Sequence, residues 1–198
     1  MVTDAFSYLD LCKTEIDSMI AGLAFQKVNL SAITKACIVL MTYNMIEGSY
    51  SVLMQDFFDY LRSNIGIVLS NSALKNQILK YHLSSINKDL KKFDNFCSHL
   101  PFEIPSYEKF KKQIQLYSGN LDAKEIRNVS KAFDVSYVGI ANDKLLLYVK
   151  NTRNKLAHGE LRYSEACRDK TDREIKECVD ASYSYMKRVF NGFVQKYS

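Results

Sequence analysis

The chain has 198 residues, 47% of them hydrophobic, with only two Pro and seven Gly. That is enough apolar material for one large packed domain, and the composition argues against a disordered chain. A net charge of +5 permits a polyanionic partner without requiring one, and five scattered Cys lacking any C-x-x-C spacing argue against a disulfide framework or a zinc site and for a reducing cytoplasm.

The hydrophobic spacing predicts an all-α chain folded as an antiparallel helical bundle. A first helix is expected from Asp4 to about Gln26, with Phe6, Leu9, Ile16, Ile20 and Leu23 along one side. Asn29 or Ser31 can cap a second, continuing to roughly Asn64. Its most apolar stretch, Ala36 to Gln55, carries Thr42, Asn44, Glu47, Ser49 and Ser51, which is too polar for a membrane span. No signal peptide is read at Met1-Val2-Thr3-Asp4. A third helix starts near Asn71 or Ser72 and ends before Pro101. Residues 100–105 hold both prolines and read as a linker.

Short helices are expected at Tyr107–Tyr117 and Asp122–Phe133, and residues 100–135 as a helical insertion or lid on a single domain spanning 1–198. Asn142 or Asp143 can cap the next helix, whose apolar positions include Leu145, Leu146, Val149 and Leu156. Gly159 suits its C′ position. Thr171-Asp172-Arg173-Glu174 fits a capping box that opens a final helix to about Lys196.

Chemistry concentrates in Arg153-Asn154-Lys155-Leu156-Ala157-His158-Gly159. An Arg, an amide and a His within about one and a half turns can bind a phosphodiester, orient it and move protons near neutral pH. Asn154 and His158 share a helix face, and the long Arg153 side chain can reach towards them. The bland alternative is a His ending a helix beside a glycine, with Arg153 and Asn154 at the surface. Glu47 is the only charged residue between Ala36 and Gln55. At helical spacing it falls on a stripe with Ile33, Cys37, Leu40, Asn44, Ser51 and Phe58, read as a core face, where a carboxylate needs a partner. Arg153 is the obvious candidate, and an exposed or purely structural Glu47 is the other.

Met41, Met45, Ile46, Leu53 and Phe57 lie outside that stripe and offer either core packing, which is favoured, or a pairing surface. Basic residues recur at Lys109, Lys111, Lys112, at Lys124, Arg127, Lys131, and at Arg162, Arg168, Arg173. Most read as solvated helix faces. Arg162 and Tyr163 rank higher because they adjoin the heptapeptide, where Tyr163 can stack a base. His82 and His99 have no such context.

The pattern R-N-x3-H-G resembles the Arg-x(4–6)-His signature of the HEPN superfamily. Tyr43-Asn44-x-x-Glu47 is similar to the Y-N-x-x-E stretch of its short standalone nucleases. Gly119-Asn120-Leu121-Asp122 is similar to their G-N-[IL]-D segment, and Gly159-Glu160-Leu161-Arg162-Tyr163 follows the same layout. The resemblance implies a four- to five-helix core and a homodimer with two signatures facing one shared RNA-cleaving groove. It implies a metal-independent, cofactor-free endoribonuclease acting as a toxin or antiviral defence effector in the cytoplasm. On that analogy Arg153 binds the scissile phosphate, Asn154 fixes it or the Arg, and His158 transfers protons. Glu47 supports them, while Tyr43, Asn44, Arg162 and Tyr163 are expected to touch the substrate. An antitoxin or a HEPN paralogue is a further expected partner, and a membrane is not. Two alternatives stay open: a catalytically inactive HEPN module that binds a partner protein or nucleotide, and a helical scaffold in which Arg153, His158 and Glu47 form only a polar cluster.

Overall fold

The long apolar run in the first third of the chain dictates the architecture. It forms one helix of 36 residues, α2 (Val28–Ser63), about 54 Å long. A helix apolar around most of its circumference has to be wrapped by others. Here α1 (Thr3–Gly22), α7 (Asp143–Ala157), α8 (Tyr163–Ala166) and α9 (Asp172–Tyr197) all pack against it. Between α2 and α7 the chain forms α3 (Ile65–Ser70), α4 (Ser72–Ile86), α5 (Tyr107–Gln113) and α6 (Ala123–Ala132). This computed structural model describes residues 1–86, 103–117, 120–136 and 143–198, and among them every regular element is a helix.

Large rings fill the core. Phe57 meets Phe193 edge-on at 5.0 Å between centroids, and Phe58 meets Phe110 at 4.9 Å. Such pairs add about 0.5–1.5 kcal/mol each beyond the burial itself. Phe110, Ile126 and Phe133 belong to this same core, so α5 and α6 pack into the bundle. Met45, Ile46, Leu53 and Phe57 are buried and Met41 half-buried, so these side chains pack within one chain.

Several boundaries differ from the sequence expectation. The first helix gives way to a 3-10 turn at Leu23–Phe25. The second starts at Val28 without a side-chain cap, its entry tied instead by Thr34 Oγ1 donating to Gln26 Oε1 at 2.7 Å. Asn71 does cap α4, its Oδ1 accepting the Leu74 N–H at 3.0 Å. The helix expected at Tyr107–Tyr117 stops at Gln113. The short helices α3 and α8 are additions to the expected set, being too brief for a periodic signal. Thr171 and Glu174 form the expected capping box, and the Thr171 N–H together with Lys170 holds the Glu174 carboxyl down to about 2. Gly119, Cys97, His99, the Asn142 cap and the end of the third helix lie outside the described residues.

Of the stripe drawn through Glu47 only Phe58 is buried in the core. Ile33 and Asn44 are exposed, and Cys37, Leu40, Glu47 and Ser51 only half-buried. The core side of α2 is instead built on Val39, Tyr43, Ile46, Tyr50, Leu53 and Phe57. The three polar positions Asn44, Glu47 and Ser51 mark the less buried side, while the core side runs without such an interruption. Among the described residues the four cysteines Cys12, Cys37, Cys167 and Cys178 are free, and no helix is long and apolar enough to cross a membrane.

Candidate active site

The heptapeptide closes α7 through its backbone. Gly159 has φ 70°, a left-handed conformation that glycine adopts without strain. The Glu160 N–H donates to the Lys155 carbonyl at 2.8 Å and the Gly159 N–H to that of Leu156 at 3.2 Å. This is a Schellman ending, and it satisfies carbonyls that a helix C-terminus leaves open. His158 therefore sits on the last residue before a fixed turn.

Arg153 is the centre of the contacts. Its guanidinium lies over the Tyr43 ring of α2, 4.5 Å from the centroid. Nη1 donates to Asn154 Oδ1 at 3.0 Å and to Asn120 Oδ1 at 3.1 Å. Tyr43 is fixed in turn: its hydroxyl accepts the Leu121 N–H at 3.1 Å. Burial, above all, raises that hydroxyl above the ordinary tyrosine range, so the ring under the Arg stays neutral.

Three consecutive residues thus serve the site. Asn120 holds Arg153, the Leu121 amide holds Tyr43, and Asp122 caps α6 by accepting the Glu125 N–H at 2.9 Å while pairing with Lys150 of α7 at 2.7 Å. Burial alone would raise the Asp122 carboxyl. The Lys150 ammonium and the Glu125 and Lys124 amides outweigh it and hold the group below the usual aspartate range. The G-N-L-D likeness marks this segment but attaches no role to Asn120, and Lys150 carries no sequence signal at all.

Tyr43, Arg153 and Asn154 are brought into contact. Glu47 is half-buried one turn beyond Tyr43, beside Tyr43 and Tyr117, whose hydroxyls are raised chiefly by burial and further by this carboxylate. The expected Glu47–Arg153 ion pair is not formed among the described residues; the guanidinium is taken up by a ring and two amides instead. Asn44, His158, Arg162 and Tyr163 are exposed. His158 lies about 140° around α7 from Arg153, with Asn154 between them. The Arg162 backbone N–H donates to Glu165 Oε2 at 3.2 Å, which ties the start of α8. Elsewhere the basic runs are paired in the ordinary way, Lys111 with Glu108 and Arg173 with Glu177.

Chemically, the arrangement offers a planar cation of fixed orientation and, about 140° around the same helix end, an accessible imidazole. Among the described residues no three His, Cys, Asp or Glu side chains converge as a metal site. No curated protein and no solved structure matches the chain. The MAE_28990-like HEPN family matches it over residues 1–198. The chain therefore belongs to the HEPN family, in its MAE_28990-like group.

Proposed function

We propose that this HEPN chain is an endoribonuclease that works without a metal, as a homodimer whose two signatures share one groove, and serves as a toxin or antiviral defence effector. The observation that carries the reading is the anchored guanidinium of Arg153, held by Asn120, Asn154 and Tyr43, on the same helix end that carries the exposed imidazole of His158.

Nη1 spends its two protons on amide oxygens, which leaves three donors on Nε and Nη2 for phosphate oxygens. A guanidinium fixed before substrate arrives neutralises charge at the phosphorus without reorganising. RNA brings its own nucleophile. The 2′-oxygen bonds to phosphorus as its proton passes to one His158, and the P–O5′ bond breaks as the leaving oxygen takes a proton from the other copy's imidazolium. The products are a 2′,3′-cyclic phosphate and a 5′-hydroxyl. Two copies are needed because one imidazole cannot serve both sides of one phosphate at once. The Glu47 carboxylate, beside Tyr43, supports the Arg153 platform at one remove, and Asn44, Arg162 and Tyr163 meet the RNA from the rim.

An inactive module that binds a partner protein or nucleotide is the second reading. It is favoured by one observation: among the described residues nothing hydrogen-bonds the His158 ring to set its tautomer. A dimer partner or the RNA has to supply that contact in an active enzyme. Expression in a susceptible host separates the two. Wild-type protein arrests growth while Arg153→Ala and His158→Ala do not, and purified protein sediments at twice the 22.8 kDa chain mass. Toxicity unchanged by both substitutions would contradict cleavage at this site.

A further inference from the structure

On the side of α7 turned away from Arg153 there is a cleft of about 450 Å³. One wall is α7 itself, where Lys144, Tyr148, Asn151 and Lys155 follow one another at three- and four-residue steps and so share a face. Leu161 and Lys170 line the other wall. That second wall is fixed: Lys170 pairs with Glu174 at 3.1 Å, comes within 4.0 Å of Asp169, and lies 5.7 Å from the Tyr148 ring centroid. Among the described residues Asp169 is the one carboxylate in the lining, and it stands next to the Lys170 ammonium.

Lys144 and Lys155 differ from Lys170. Both are exposed, and neither has an ion-pair partner among the described residues. They are eleven positions apart, about 16 Å along the helix. Two exposed ammonium groups at that separation, with the Asn151 amide between them, suit a linear polyanion better than one small anion. The volume is that of a small-molecule pocket, room for a nucleotide or two and not for a duplex.

His158 lies outside the lining, three residues beyond Lys155. That spacing puts it on the same side of the helix. The chain beyond Gly159 folds back, the Leu161 N–H donating to the Lys155 carbonyl at 3.3 Å. We propose that this cleft binds the single-stranded RNA flanking the scissile phosphate, with backbone phosphates on Lys144 and Lys155. The inference rests on the ribonuclease reading and extends it. Arg153 takes the reacting phosphate on one side of α7, the strand passes the helix end at His158, and its continuation lies along the cleft.

The test is fluorescence anisotropy with a labelled oligonucleotide carrying 2′-O-methyl groups throughout, which has no free 2′-OH and is not cut. Wild type, Lys144→Gln, Lys155→Gln and the double variant are titrated over a range of salt in EDTA. Each substitution is expected to weaken binding several-fold and to lower the slope of log K against log salt by ~0.7. Both positions are exposed, and matching thermal melts show that the variants fold. Wild-type affinity and slope in the double variant would overturn the cleft. Loss of binding in the variants, combined with no cutting of ordinary RNA by the wild type, would leave the cleft standing and remove the ribonuclease reading.

Discussion

Arg153 is a long, flexible side chain that is given almost no freedom. A stacked ring, an adjacent amide and a second amide from a distant segment each restrict it. Cation–π contact with Tyr43 is worth about 0.5–2 kcal/mol depending on how dry the site is. Asn120 is the informative residue to change. Asn120→Ala leaves Asn154 and Tyr43 in place, so the protein folds, but the guanidinium loses its second anchor. Cleavage is expected to fall roughly ten- to a hundred-fold, in kcat more than in KM, because a displacement near 1 Å is enough for that loss. Steady-state kinetics on a short RNA measures it, and wild-type kcat would show that Asn120 does not position the arginine. Tyr43→Phe asks a different question. It keeps the ring but strands the Leu121 N–H, and about 1–2 kcal/mol of stability should be lost.

At the level of elements, the site depends on α2, α7 and the start of α6 keeping their relative positions. Asp122 does this twice over, as the cap of α6 and as the partner of Lys150. Its folded carboxyl is held below the ordinary value of about 3.9. The stability it contributes is therefore fully present above about pH 4 and lost as the pH falls through the folded value. Asp122→Ala should cost about 1–2 kcal/mol at pH 7, and the gap to wild type should close below pH 4. Thermal melts at pH 7 and pH 3 check this; a gap of equal size at both would mean the charge is irrelevant. On α2 itself, the Tyr50 hydroxyl is buried with no hydrogen-bond partner among the described residues. Tyr50→Phe removes that unmet group and should raise stability by about 1 kcal/mol, read as a higher Tm. The same helix shows where pattern reading fails. Glu47 lies on a stripe that Asn44 and Ser51 also interrupt, and read as a core face it misses the uninterrupted side of Val39, Tyr43, Ile46, Tyr50, Leu53 and Phe57, which is the one the neighbouring helices bury.

At the scale of the molecule, the helical class follows from spacing alone, because apolar residues recur at three and four throughout and no long stretch alternates. The end of α7 is equally legible. Gly159 closes a Schellman turn whose partners all lie within five residues. What sequence cannot supply is the company Arg153 keeps, since Asn120 lies 33 residues away and local periodicity is silent on such contacts. Glu47 is the counter-example, a lone carboxylate that pattern reading pairs with Arg153 but that is only half-buried, while the guanidinium goes to a ring and two amides. Bringing Tyr43, Asn120 and Arg153 together takes the whole bundle, so the arginine platform is a property of the fold and the exposed imidazole a property of the helix end. The most direct test of the ribonuclease account is to incubate wild-type and His158→Ala protein with total RNA in EDTA and determine the fragment ends. Cutting by the wild type alone, leaving 2′,3′-cyclic phosphate and 5′-hydroxyl ends, is the predicted result. Fragments bearing 5′-phosphates, or equal cutting by the His158→Ala variant, would contradict it.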